Sequence, residues 1–279
     1  MRQAILDFPK QFDFSPVVEN ERTLTTKPHI LVAGMGGSHL AADILKAKDP
    51  SVGLTVHSDY GLPSWSDERL KQGLLIASSY SGNTEETLDA YEAAGRIGMS
   101  RAALSIGGRL LEMAERDGVP FVRLPDTGIQ PRVGLGFSIL GLAKLLGRDD
   151  LVSELGSLAR VLNAEGLEKR GRELAQALKG QVPLVYASQA NEAVLANWKR
   201  KLNETGKSPA FYNVFPELNH NEMTGFDKRD VSEPPSSGFV FVFLKDADDH
   251  PRIVRRMEVT AKLYRDRGYG VHEVELNGS

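Results

Sequence analysis

No cysteine occurs among the 279 residues, which excludes disulfide frameworks, thiolate metal sites and thiol nucleophiles together. A reducing compartment fits that absence. An excess of charge of one sign is missing too. The chain has 34 Lys and Arg against 37 Asp and Glu, so no overall field draws in nucleic acid or an anionic membrane surface. Any anionic ligand must then be met by local groups. Nor is there a run of about 18 apolar residues, the length a bilayer-spanning helix needs. The opening Met1-Arg2-Gln3-Ala4-Ile5-Leu6-Asp7-Phe8-Pro9 places an acid and a proline where a secretory signal needs an unbroken apolar stretch. The expectation is a cytoplasmic protein without nucleic-acid or membrane partners.

What is present is a repeated strand–turn–helix grammar. His29–Ala33 is a short apolar run that ends in glycines and is followed by the helically spaced Ser38–Leu45. Gly73–Ser78 feeds a Ser-rich turn and then a helix from about Thr84 to Ile97, whose first turn carries Glu85 and Glu86, as a positive helix end favours. Further strands are expected at 52–57, 101–106 and 119–124, with an apolar helix over 133–146. Alternation of this kind predicts an α/β fold in which each mainly parallel sheet is flanked by helices on both faces. At Gly147-Arg148-Asp149-Asp150 the helices turn polar, which puts the domain boundary at residue 150 and gives domains 1–150 and 151–279. The pattern restarts after that: strand 183–187, helix 191–202, strands 211–215 and 239–244, helix 252–267 and strand 271–276.

Ligands of open parallel sheets collect at the carboxyl ends of strands, where helix N-termini present free N–H groups. Two turns of the first half suit that place. Gly34-Met35-Gly36-Gly37-Ser38 lets backbone approach a ligand closely, and Ser79-Tyr80-Ser81-Gly82-Asn83-Thr84 offers three hydroxyls ahead of a helix. Together they supply donors to phosphate oxygens without a lysine. A dinucleotide fingerprint is excluded because His39 stands where its last glycine belongs, and a P-loop ending in Gly206-Lys207-Ser208 fails because Lys201 replaces the leading glycine. Helix capping remains open as the plainer role of Ser79, Ser81 and Thr84.

These two turns resemble those of the sugar isomerase (SIS) domain. Together with Gln130-Pro131-Arg132, Lys201-Leu202-Asn203-Glu204 and Pro216-Glu217-Leu218-Asn219-His220-Asn221-Glu222, they make the chain similar to the bifunctional phosphoglucose/phosphomannose isomerases, built from two SIS-type αβα halves. The resemblance implies a cofactor-free interconversion of glucose 6-phosphate or mannose 6-phosphate with fructose 6-phosphate. It also implies that Ser38, Ser79, Ser81 and Thr84 hold phosphate over the backbone of Gly36 and Gly37. Glu204 would move the proton, His220 would open the ring and Arg132 would steady the intermediate. The implied assembly is a homodimer whose histidine comes from the partner subunit. Members of this kind continue into a C-terminal helix bearing a catalytic lysine, and no residue before Ser279 matches that lysine.

The residue types suit the chemistry without the resemblance. Moving hydrogen between C1 and C2 of an open-chain sugar needs a base, an electrophile for the enediolate oxygen and an acid for ring opening. Glu204 is expected at a helix C-terminus, where the dipole disfavours a carboxylate. His220 is expected in a polar loop, and Arg132 ahead of an apolar helix. An exposed glutamate, a surface histidine and a structurally paired arginine are the plain alternatives. No H-E-x-x-H spacing occurs, so no metal site is expected. Tyr80, Trp65 and Trp198 are expected to pack rather than stack on sugar, and Asp246-Ala247-Asp248-Asp249 to form a solvated loop. Two other functions stay open: a non-catalytic sugar-phosphate sensor and an isomerase of another phosphosugar.

Overall fold

Short runs rich in Leu, Val, Ile and Ala become the strands of two sheets in the computed structural model, which describes residues 1–25, 27–227 and 238–276. The chain divides into two compact units, Met1–Leu167 and Glu168–Ser279. In the first unit α1 (Arg2–Leu6) and β1 (Val18–Glu19) precede β2 (His29–Ala33), α2 (Leu40–Lys48), β3 (Leu54–His57), α3 (Asp67–Lys71) and β4 (Gly73–Ser78). Then follow α4 (Glu85–Arg96), β5 (Ser100–Ser105), α5 (Gly108–Asp117), β6 (Phe121–Arg123), α6 (Leu135–Leu145), α7 (Asp149–Gly156) and α8 (Leu158–Val161).

The strand order is β1-β6-β5-β4-β2-β3, parallel throughout except for the antiparallel edge strand β1. Successive strand residues alternate between two buried faces. Val32, Leu74, Ile76, Leu104 and Val122 join Ala41 and Leu45 of α2, Leu140 of α6 and Leu151 and Leu155 of α7 on one side. Leu31, Leu75, Ala77, Ala103 and Phe121 meet Leu88 and Tyr91 of α4 and Leu110 and Leu111 of α5 on the other. All of β4 is buried, as a central strand covered by helices on both sides must be.

The split falls between residues 167 and 168 rather than at the residue 150 expected from the sequence. Packing explains the difference. The stretch after Gly147 is charged at its start, but Leu151 and Leu155 lie one helical turn apart and bury in the first unit's core, with Leu158 against them. Helix α9 (Ala164–Ala177) follows.

The second unit contains β7 (Val182–Ser188), α10 (Glu192–Glu204), β8 (Phe211–Phe215), β9 (Phe239–Asp246), α11 (Pro251–Asp266) and β10 (Gly270–Leu276). Its sheet runs β10-β9-β7-β8, parallel throughout. One face, with Val185, Ala187, Val240 and Val242, receives Leu195, Trp198 and Leu202 of α10. The opposite face, with Tyr186, Phe215, Phe241 and Phe243, receives Met257 and Tyr264 of α11 and also Leu218, Met223 and Phe226 from the two short 3-10 turns that follow β8. No helix among the described residues is long and apolar enough to cross a membrane.

Candidate functional site

At the carboxyl ends of β2 and β4 the two turns singled out in the sequence lie side by side. The first becomes a 3-10 turn over Gly36–His39 leading into α2. Gly34 is required there by space, since a Cβ would stand 2.7 Å from the Ser78 carbonyl oxygen, and Gly36 has φ +54°. Ser78 Oγ donates to the Ser38 carbonyl at 2.6 Å, while Tyr80 N–H donates to Ser38 Oγ at 3.2 Å. Ser38 is thereby stitched to the start of the second turn.

The second turn is held from inside. Ser79, fully buried, accepts the Gly82 N–H at Oγ (3.1 Å), and the same oxygen lies 2.8 Å from Thr84 Oγ1. Ser81 Oγ accepts the Asn83 N–H at 3.3 Å. Asn83 reaches away from the mouth to cap the neighbouring helix, its Oδ1 accepting the Arg109 N–H at 3.1 Å. Thr84 occupies the N-cap position of α4 without capping it: its hydroxyl is turned to Ser79 and makes no bond to the first-turn N–H groups of α4. Capping, the plainer role left open above, is therefore not what Thr84 does. Each of Ser38, Ser79 and Ser81 spends an acceptor lone pair on a backbone N–H; one proton of the Ser79–Thr84 pair is used between the two hydroxyls, which leaves the other, with those of Ser38 and Ser81, to be donated. Donated protons and uncapped helix amides are what an oxyanion needs.

Arg132 lies in the same unit, in a 3-10 turn over Pro131–Val133. A Cβ on Gly37 would touch the Arg132 Cα at 3.4 Å, so that glycine admits the arginine's backbone to the edge of the cradle. Two supports of this turn were not foreseen. Gln11, buried near the N-terminus, donates to the Val133 carbonyl (2.7 Å) and accepts the Gly136 N–H (2.9 Å). Tyr80 is 5% exposed and packs its ring on Gly134, where a Cβ would come within 2.5 Å of Cε2. Burial pushes its phenol above the usual value, and its place in the core confirms packing rather than sugar stacking. Trp65 and Trp198 likewise pack against core clusters.

In the second unit Glu204 is the last residue of α10, at the dipole's negative end as expected, and is half-buried. His220 ends the 3-10 turn Glu217–His220 and is exposed. The structure does not bring these two together within the unit: the helix ending in Glu204 and the turn carrying His220 pack on opposite faces of the sheet. Glu222, two residues on, is engaged structurally, accepting from the Tyr186 hydroxyl and from Asn213 Nδ2 at 2.6 Å. The acidic run at 246–249 forms a self-bonded turn, with Asp246 N–H donating to Asp249 Oδ2 at 3.2 Å. No group of three or more potential metal-ligating side chains is gathered among the described residues.

The family model described as the bacterial phospho-glucose isomerase C-terminal SIS domain matches residues 167–279, starting where the second unit starts. A bifunctional phosphoglucose/phosphomannose isomerase of Aquifex aeolicus is 32% identical over 99% of this chain and 83% of its own length. Another from Caldicellulosiruptor bescii is 33% identical over 100% of the chain and 86% of its own. A D-glucosamine-6-phosphate 4-epimerase of Sulfolobus acidocaldarius is 30% identical over 77% of the chain and 69% of its own. Among solved structures, tagatose-6-phosphate ketose/aldose isomerase of Escherichia coli shares the fold, with a TM-score of 0.67 at 15% identity, covering 99% of this chain and 85% of that one.

Proposed function

Because the chain belongs to the bifunctional phosphoglucose/phosphomannose isomerase family, we propose that it is an aldose–ketose isomerase interconverting glucose 6-phosphate or mannose 6-phosphate with fructose 6-phosphate through a cis-enediolate. One observation carries the reading on this chain's own residues: the mouth of α4 is left uncapped while Thr84 turns to Ser79. Ser38, Ser79, Ser81 and Thr84, over the backbone of Gly36 and Gly37, hold the phosphate. Glu204 carries the proton between C1 and C2, and Arg132 offsets the charge that grows on the enediolate oxygen. The net change is a proton transfer within one carbon skeleton, so no redox cofactor enters the scheme.

His220 opens the sugar ring and is supplied by the second copy of a homodimer. The sheet between the Glu204 helix and the His220 turn supports this arrangement, since within one copy those two elements pack on opposite faces of it. A cytoplasmic setting agrees with the lack of cysteine.

The test is to incubate purified protein with fructose 6-phosphate and assay for glucose 6-phosphate and mannose 6-phosphate, beside a thermal-shift titration with the same ligand. Formation of both aldoses is expected. Stabilisation without turnover selects a sensor. The epimerase relative gives one reason to add glucosamine 6-phosphate, with turnover of that sugar alone selecting the other phosphosugar reading.

A further inference from the structure

His220 is exposed, yet the chain is fastened on both sides of it. Just before it, Asn219 Nδ2 donates to Thr260 Oγ1 of α11 at 3.0 Å, and Asn219 Oδ1 accepts from Arg256 Nη1 at 3.3 Å. Just after it, Glu222 grips the sheet: one carboxylate oxygen accepts from the Tyr186 hydroxyl of β7 and the other from Asn213 Nδ2 of β8, at 2.6 Å. Tyr186 is fully buried, with its ring packed among Phe215, Phe241 and Phe243, so its hydroxyl is a fixed point of the second unit. Asn213 is oriented by a bond of its own, Oδ1 accepting the Val214 N–H at 2.8 Å, which turns its amide nitrogen to Glu222. Both donors to Glu222 are uncharged, and the carboxylate is half-buried. Taking a carboxylate out of water is costly, and an apolar side chain would cover this part of the core at less cost. Packing alone does not call for an acid there.

We propose that Glu222 is a positioning residue for His220: through Tyr186 and Asn213 it ties the end of the 217–222 segment to the sheet, so that the exposed imidazole is held in one place for ring opening. Opening the furanose of fructose 6-phosphate breaks the C2–O5 bond, delivers a proton to O5 and takes one from the C2 hydroxyl, which becomes the ketone. Such a proton transfer depends on the donor standing within hydrogen-bond reach of O5. An imidazole on a loose turn would spend little time there. The proposal rests on reading His220 as the ring-opening residue, and it concerns that step alone: the proton shift by Glu204 does not pass through this turn.

The test measures kcat/KM of the full chain for fructose 6-phosphate and for 5-deoxyfructose 6-phosphate, which lacks the C5 hydroxyl, cannot close a furanose and so skips ring opening. Wild type, E222A, Y186F, H220N and E204Q are compared. E222A should lose about 10- to 100-fold on fructose 6-phosphate, the scale of a misplaced catalytic group, and keep wild-type activity on the deoxy sugar. Y186F, which removes one of the two donors to Glu222, should show a smaller loss with the same selectivity. H220N should lose only the ring-closed substrate, and E204Q should lose both. Unchanged kcat/KM of E222A on fructose 6-phosphate overturns the proposal. Equal loss on both sugars does so too, since it marks a general structural role, as does a selective loss accompanied by a change of oligomeric state in light scattering. Should E222A fail to fold, Y186F decides by the same criteria. An H220N protein that loses both sugars equally, or neither, refutes the ring-opening reading itself and the proposal with it; that failure is told apart because it is seen at His220, with Glu222 intact.

Discussion

Gly82 is where the proposed phosphate loop meets its scaffold most closely, and replacing it with alanine gives a test with a calculable size. Its φ is +73°, and a Cβ there would stand 1.8 Å from the Gly107 carbonyl oxygen, 2.8 Å from the Gly107 carbonyl carbon and 2.9 Å from Ser105 Oγ. An unstrained carbon–oxygen contact is about 3.3 Å, so either the 79–84 turn or the start of α5 must shift by roughly 1.5 Å. The left-handed backbone costs an alanine about 1–2 kcal/mol. Forced displacement of packed groups adds about 1–3 kcal/mol. Gly118 supplies the control: its φ is +65°, but no atom lies within 4 Å of its would-be Cβ, so G118A bears the backbone cost alone. At roughly 2–4 °C per kcal/mol for a chain of this size, G82A should lower the melting temperature by roughly 4–20 °C and G118A by roughly 2–8 °C. Ligand at 100 times its Kd should add about 2.7 kcal/mol to any variant that still binds. Melting curves with and without fructose 6-phosphate should show that increment for wild type and G118A and not for G82A. A G82A protein that melts with G118A and keeps the full increment refutes the view that this turn is a rigid cradle.

Ser81→Ala should weaken fructose 6-phosphate binding about 10-fold or more in a titration while barely moving the unliganded melting temperature, because the exposed hydroxyl serves, among the described residues, the local Asn83 N–H. Glu204→Gln should abolish turnover in the isomerase assay and spare ligand-induced stabilisation; unchanged turnover removes Glu204 from its role. Arg148 holds the Asp150 carboxyl down to about 2. A carboxyl whose pKa falls on folding contributes stability above its unfolded value, about 3.9, and loses it as pH falls through the folded value. D150N should therefore be less stable than wild type in melts at pH 7, with the gap closing between about pH 4 and pH 2; a gap constant over that window contradicts the assignment.

How much of this was legible in the sequence depended on whether the determinant was local. The expected strands at 29–33 and 73–78 match β2 and β4 because an apolar run ended by glycine or serine is a complete local signal. Helix α5 was not expected although Leu110, Leu111, Met113 and Ala114 are helically spaced. It opens at Gly107-Gly108 without a cap of its own, and its cap is Asn83, 26 residues earlier. Gln11 was invisible for the same reason, since its two bonds to the Arg132 segment span more than a hundred positions. The boundary at residue 150 followed a real change to charged residues, yet Leu151 and Leu155 decide where the helix packs. The motif at 79–84 was found from residue types, but whether Thr84 caps α4 or faces Ser79 is a question of one torsion, which composition does not carry.

Glu204 and His220 show what a motif leaves out, because they are 16 positions apart and yet separated by a sheet. The chain leaves β7, crosses over one face as α10, returns through β8 and folds its next turns onto the opposite face. In the proposed reading, a reaction that uses both residues draws them from two copies related by a two-fold axis. Complementation tests this step directly. E204Q and H220N should each be inactive alone. Mixed and allowed to exchange subunits, half of the dimers become hybrids, each with one site that takes glutamate from one copy and histidine from the other, so about a quarter of wild-type activity should return. Were both residues of a site to come from one copy, no hybrid would hold an intact pair. A mixture as inactive as its parents, with exchange verified by mass spectrometry of the hybrid, refutes the shared site.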